Sequence, residues 1–229
     1  MRWRQAGLLA VGAAALLALA ACGANNRSIE TRTYEVTDAT NRLVVDDMAG
    51  TVAVTVGDGP VRVTETVAYG RHKPTMAHTS VGGTVHLTAG SCLAVFDRGC
   101  QVDYQVRVPA GTAVEVRADA GDVSVTGLAG DLRVTARAGK VTANELRSVH
   151  TTVQATAGQV TLRYRAAPST VDVNATAGDV AIQVPGDASY AVDASTTAGD
   201  HTVGVPTAAG SGHRITVHAA AGSVRVSPA

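Results

Sequence analysis

Four carboxylates stand where a cation could be held: Asp122, Asp131, Asp179 and Asp200 each follow a glycine, the first two nine residues apart. Calcium takes carboxylate and carbonyl oxygens in that kind of setting. The Gly-Gly-x-Gly-x-Asp pattern of calcium-binding β-rolls is missing, however. Lys140, Gln159 and Ser223 also occupy the same place in sibling copies, so each carboxylate is read as closing its own turn. Asp172 and Asp193 offer a second chemistry. On adjacent strands they would lie about 5 Å apart, the separation a retaining glycosidase uses. Their neighbours are Thr, Gln, Asn and Ser, and the one tryptophan, Trp3, is at the extreme N-terminus, which leaves little for a sugar ring to stack on. His72, His78, His86, His150, His201, His213 and His218 form no metal-spaced pair and are expected at the surface or at strand edges. Neither a Gly-x-Ser-x-Gly elbow nor a phosphate loop occurs. No catalytic residue, metal or cofactor is expected, and a glycan-cleaving enzyme is the remotest reading.

The elements that would carry these residues are strands. Valine alternates with polar residues along most of the chain, the period-2 signature of a half-buried strand. The alternation repeats around a recurrent Ala-Gly step. Val114, Val116 and Ala118 precede Gly121, and Val123 and Val125 follow it. Leu132, Val134 and Ala136 stand likewise before Gly139, and the pattern returns at Gly158, Gly178, Gly199 and Gly222. An earlier copy surrounds Gly50. Successive spacings of 18, 19, 20, 21 and 23 residues predict an all-β, single-domain β-solenoid, parallel β-helix-like, with one strand–corner–strand–corner coil per repeat. Glycine supplies the positive φ of one corner. The second corner grows from coil to coil, at 144–148, 165–169, 185–189 and 206–212, as insertions on one edge would. His201 replaces an apolar residue and puts its coil's order in question. Pro228 suits a C-terminal stop, because it cannot extend a ladder. Residues 66–113 are less regular and are expected to form one longer, decorated coil.

The N-terminal 21 residues form a leader: Arg2 and Arg4, then an apolar run from Gly7 to Leu19 too short to span a bilayer. Leu19-Ala20-Ala21-Cys22 resembles the lipobox of bacterial lipoproteins, which implies cleavage before Cys22 and a diacylglycerol thioether there, with acyl chains that anchor the protein in the membrane. Residues 22–33 would be the lipidated end and a polar tether, and 34–229 the repeat domain. Without Arg2 and Arg4, 17 Lys+Arg face 19 Asp+Glu, so the formal net charge of zero becomes mildly negative. Only 3% of the residues are aromatic. Both figures exclude a nucleic-acid binder, which needs a basic face and stacking rings. In an exported chain Cys92 and Cys100 are expected to pair as a structural disulfide.

The tandem Ala-Gly-Asp-Val units, the run Leu-Val-Val-Asp-Asp-Met-Ala-Gly-Thr-Val-Ala-Val and the run Val-Pro-Ala-Gly-Thr-Ala-Val-Glu-Val at 108–116 resemble the bacterial β-strand-repeat family of putative adhesins, over about residues 35–227. The Arg-, Ala-, Val- and Gly-rich composition is similar to actinobacterial members. The resemblance implies the fold and no catalytic residue. The expectation is a cell-envelope lipoprotein on the extracytoplasmic face of the cell membrane, acting as a non-enzymatic, adhesin-like binding scaffold for a cell-wall, host or membrane-protein ligand. The alternative is an envelope-stress or signalling accessory lipoprotein that binds a membrane protein. Contacts are expected at the variable corner, through Asn144, Glu145, Arg147, Arg165 and His213, and along 70–100.

Overall fold

A strand that alternates valine with polar residues buries one face only when a second sheet lies opposite. The computed structural model, which describes residues 27–90 and 100–229, meets that demand with a ten-stranded and a nine-stranded sheet facing each other. Among the described residues there is no helix. Each repeat puts one strand in each sheet. The pairs are β8 (Ala113–Ala120) with β9 (Val123–Thr126), β10 (Leu132–Ala138) with β11 (Val141–Leu146), and β12 (His150–Ala157) with β13 (Val160–Tyr164). Next come β14 (Thr170–Ala177) with β15 (Val180–Val184), β16 (Ala191–Ala198) with β17 (His201–Val203), and β18 (Arg214–Ala221) with β19 (Val224–Pro228). Neighbouring coils pair in parallel and in the register of the repeat: Val134 lies between Val116 and Val153, and Val160 between Val141 and Val180. All of these are buried, and the core is a ladder of Val, Leu, Ile and Ala between the sheets.

The Ala-Gly corners stack into a spine. Gly50, Gly121, Gly139, Gly158, Gly178, Gly222 and Gly199 all have φ between +123° and +145°. A Cβ on any of them would stand 1.7–2.3 Å from a backbone carbonyl oxygen of the adjacent coil, usually that of the next spine glycine. Two requirements therefore coincide at each position, a left-handed backbone and space for a stacked main chain. The Ala before the glycine is exposed in every coil but that of Gly50, as at Ala138 and Ala157. Its carbonyl matters more: Ala138 and Ala157 accept hydrogen bonds from the N–H of Gly121 and Gly139, at 2.9 and 3.1 Å.

Two of the four carboxylates after the glycines, Asp122 and Asp179, act between coils, not within their own turns as expected. Asp122 Oδ1 accepts from the N–H of Lys140 and Asp179 Oδ1 from that of Ser223, both at 2.8 Å. In both cases the partner N–H belongs to the residue that follows the next spine glycine in the stack. Asp200 makes no such bond among the described residues. Asp179→Ala should thus cost about 0.5–1.5 kcal/mol in urea unfolding, while Asp200→Ala should stay within about 0.5 kcal/mol of the parent.

Coils do not stack in chain order. Both β18 and β19 lie inside β16 and β17, next to β14 and β15. The inner faces explain the exchange. Ile215, Val217, Val224 and Val226 are fully buried, whereas β16 and β17 offer Val192, Ala194, Thr196 and His201, which suit an end coil covered on one side. Pro228 therefore does not stop the stack; it lies opposite Val184 in an interior coil, and 191–203 form the end. The expected departure at His201 is real, and that residue is exposed.

The opposite end is built from β2 (Arg42–Asp47) and β3 (Val52–Val56), flanked by β6 (Thr84–Ala89) and β7 (Gln101–Val108). Antiparallel β4 (Val61–Tyr69) and β5 (Met76–Val81) then border β7 and β6. The tether expected over 22–33 is shorter than its polar composition implied. From Ser28 the chain is β1 (Ser28–Val36), paired with β4. Cross-strand hydroxyl pairs Thr31–Thr66 and Thr33–Thr64, with ion pairs Glu35–Arg62 and Glu30–Lys73, give this exposed strand its partners. The leader, Cys22 and Cys92 lie outside the described residues.

Candidate functional site

The long corner of the middle coils carries the candidate site. In β11 the ladder with β13 shifts register between Ala143 and Leu146, which marks a bulge at Asn144 and Glu145. Glu145 has φ +55°, and among the described residues it is the only non-glycine with positive φ. Such a conformation costs about 1–3 kcal/mol and persists only where its surroundings enforce it. Leu146 is fully buried and anchors the bulge, so that Asn144 and Glu145 turn outward.

The bulge forms one wall of a cleft lined by Asn144, Glu145, Arg163, Tyr164, Arg165, Gln183 and Ala229. Arg165 Nη2 donates to Glu145 Oε1 at 3.0 Å. Arg163 reaches along the row, donating from Nε to Gln183 Oε1 at 2.7 Å and from Nη1 to Asn144 Oδ1 at 3.1 Å. The ring of Tyr164 is buried beneath these side chains.

Three of the expected binding residues, Asn144, Glu145 and Arg165, therefore meet in one cleft. Arg147 and His213 do not join it. Arg147 lies past the bulge, where its N–H donates to the Leu128 carbonyl at 2.8 Å. His213 is held by a hydrogen bond between Nδ1 and the Pro168 carbonyl at 2.8 Å and leans on the Tyr190 ring at 5.8 Å, so it secures the loop that leads into β18. Arg163 and Gln183 were missed. Their signal was positional: like Asn144, each is the fifth residue after its spine glycine, and parallel stacking makes that a row.

The other candidates resolve differently. Asp172 and Asp193 are not neighbours. Thr216 of the inserted strand stands between them, opposite both, so they lie two strand spacings apart, roughly 10 Å. Asp172 accepts instead from Asn174 Nδ2 at 2.8 Å. No group of His, Cys, Asp and Glu that could hold a metal ion occurs among the described residues. On the outer face near β2, Asp46 binds His86 at 2.6 Å and Arg117 at 3.0 Å, and Glu115 is gripped by Arg42 and Arg117. Those charges neutralise one another.

One buried group has no precedent in the other copies. Three residues before five of the spine glycines the inward side chain is Ala118, Ala136, Ala155, Ala175 or Ala219, and before Gly199 of the end coil it is Thr196, but before Gly50 it is Asp47. Asp47 is 4% exposed, and its Oδ2 has no partner. Burial pushes its carboxyl up to about 7, helped by the charges of Asp103 and Asp119 and opposed by the N–H groups of Ala49 and Met48. The hydroxyl of Tyr104, fully buried on β7, is also without a partner.

Two facing sheets built from stacked coils, with a glycine spine on one corner and exposed polar side chains on the other, define an all-β repeat scaffold. The chain belongs to the Toastrack family DUF4097, whose match covers residues 46–227. Among solved structures it is similar to a putative cell adhesion protein from Clostridium sporogenes, at 11% identity over 88% of this chain and 100% of that one, with a TM-score of 0.55. A putative adhesin from Bacteroides fragilis matches at 15% identity over 87% of this chain and 97% of that one, with a TM-score of 0.49. At 11% identity the likeness to the Clostridium sporogenes protein concerns the fold alone. No curated protein matches the chain.

Proposed function

We propose that the protein is a non-enzymatic binding scaffold of the cell envelope, anchored through Cys22 and stapled by a Cys92–Cys100 disulfide, and that it meets its ligand at the long-corner cleft. The observation that carries this reading is the bulge at Asn144 and Glu145. A strained, non-glycine, outward-facing turn on a rigid ladder is a feature the fold alone does not need. The leader and lipobox support an extracytoplasmic address. The name of the Clostridium sporogenes protein is in keeping with adhesion.

The test separates binding from folding. Glu145 and Arg165 are exposed, so losing their ion pair should move unfolding by less than about 1 kcal/mol. The double variant Glu145→Ala/Arg165→Ala should nevertheless lower retention of the purified chain on envelope preparations about tenfold. Lys140→Ala, at the glycine corner, should bind as the parent does. Retention of the double variant equal to that of the parent would overturn the cleft as the contact surface.

A further inference from the structure

The two sheets do not end level. β1 is a tenth strand, for which the nine-stranded sheet has no counterpart. Its register with β4 sets Glu30, Arg32 and Tyr34 on the inner face, opposite Val67, Glu65 and Val63. His78 of β5 covers one end of that face by stacking on the Tyr34 ring at 4.6 Å. Beside it a pocket of about 430 Å³ lies between β1, β4 and the segment leading into β5, with Val67, Pro74 and Met76 in its walls.

Four charged side chains line this pocket, Glu30, Arg32, Glu65 and Lys73. Two of them answer each other: the Glu30 carboxylate accepts from Lys73 Nζ, and also from the Tyr69 hydroxyl. The other two are not answered. Glu65 is 2% exposed, yet among the described residues only the Tyr34 hydroxyl donates to it, at 2.6 Å to Oε1. Burial and the Glu65 charge keep that phenol protonated far above its usual range, so it is a neutral donor. A buried carboxylate ordinarily has a cation or several donors. Arg32 stands directly across the strand pair from Glu65 and is exposed, and it makes no ion pair or hydrogen bond among the described residues. An unpaired anion thus lies at the floor of the pocket and an unpaired cation at its rim.

We propose that this pocket binds a free amino acid with an apolar side chain, its ammonium on Glu65, its carboxylate on Arg32 and its side chain against Val67, Pro74 and Met76. An ammonium only donates and an ionised carboxylate only accepts, so each end of the ligand suits one of the two groups and not the other. Residues inside a peptide bring neither charge, and a peptide end brings one of them. The site is separate from the long-corner cleft, which lies on β11, β13 and β15 of the same sheet, beyond β7, β3 and β9.

Calorimetric titration of the full chain with L-leucine tests this, and saturable binding is expected. Leucinamide lacks the carboxylate and N-acetyl-leucine lacks the ammonium, so each should bind at least about tenfold more weakly. Arg32→Gln, at an exposed position, should leave the urea midpoint of the chain unchanged and weaken leucine by a similar factor. Glu65→Gln, whose amide oxygen can still accept from Tyr34, should weaken leucine as well. Leucinamide binding as tightly as leucine would overturn the amino acid in favour of an amine or a peptide N-terminus. Leucine affinity unchanged in Arg32→Gln would overturn the two-point site. Absence of saturation with leucine would overturn it too, and would mean that Arg32 and Glu65 serve only each other.

Discussion

Gly158→Ala should unfold the domain or cost it about 3–5 kcal/mol, from left-handed strain and overpacking together. The new Cβ would lie 1.9 Å from the Gly139 carbonyl oxygen, at φ +133°. Neither problem can relax alone. Moving the corner outward to free the carbonyl breaks the bonds between the Gly139 N–H and the Ala157 oxygen and between the Gly158 N–H and the Ala177 oxygen. These bonds align both neighbouring coils. Gly210→Ala is the comparison: nothing lies within 4 Å of its Cβ position and its φ is not positive, so the change should stay within about 0.5 kcal/mol. Urea midpoints of the two variants measure the contrast. Similar midpoints would mean that the spine tolerates side chains.

The second large effect is on pH. Asp47 is buried, and its carboxyl titrates near 7 in the folded chain, against a usual value of 3.8. The folded state thus holds a proton that the unfolded state has released between those values. By linkage, stability is greatest below about pH 4 as far as this group is concerned, and it falls as pH rises toward 7. The full loss is at most about 4 kcal/mol, at roughly 1.4 kcal/mol for each unit. Asp47→Ala places there the residue that five other coils already use. The variant should match the parent within about 1 kcal/mol at pH 5 and exceed it by roughly 2–3 kcal/mol at pH 8. Unfolding curves at the two pH values test this, and a parent–variant difference that is the same at both would refute it.

Much of the scaffold was legible because a solenoid writes one rule repeatedly. The in-register valines, the glycine corners and the growth of a single corner follow from period and spacing. The coil order did not, because 191–203 and 214–228 have the same repeat pattern. Only the strength of their inner faces, Thr196 and His201 against Ala219 and Val224, decides which is interior. That comparison was available, and it would have kept Asp172 and Asp193 apart. The cleft was half visible. Corner growth pointed to 144 and 145, but the bulge carries the side chains back along the strand. Their partners come from the fifth position of the next coils, Arg163 and Gln183, and not from the corners where contacts were sought. Asp47 was hidden by the same regularity, since a match at Leu43, Val45, Val52 and Val54 satisfied the repeat without its third inward position.

A stack that grows by adding coils could end after any of them, and each would be finished as soon as it was made. Here the seat beside β14 and β15 is filled by residues 214–228, which are made after the coil that lies outside them. A chain synthesised from its N-terminus therefore reaches residue 203 with the outer coil present and its neighbour missing. The sheets close only when the latest strands wedge in behind it. Only the last two coils are caught in this way: the outer one has no seat until the strands made after it are in place. The repeats of this protein are alike in sequence, yet its final two can be completed only together.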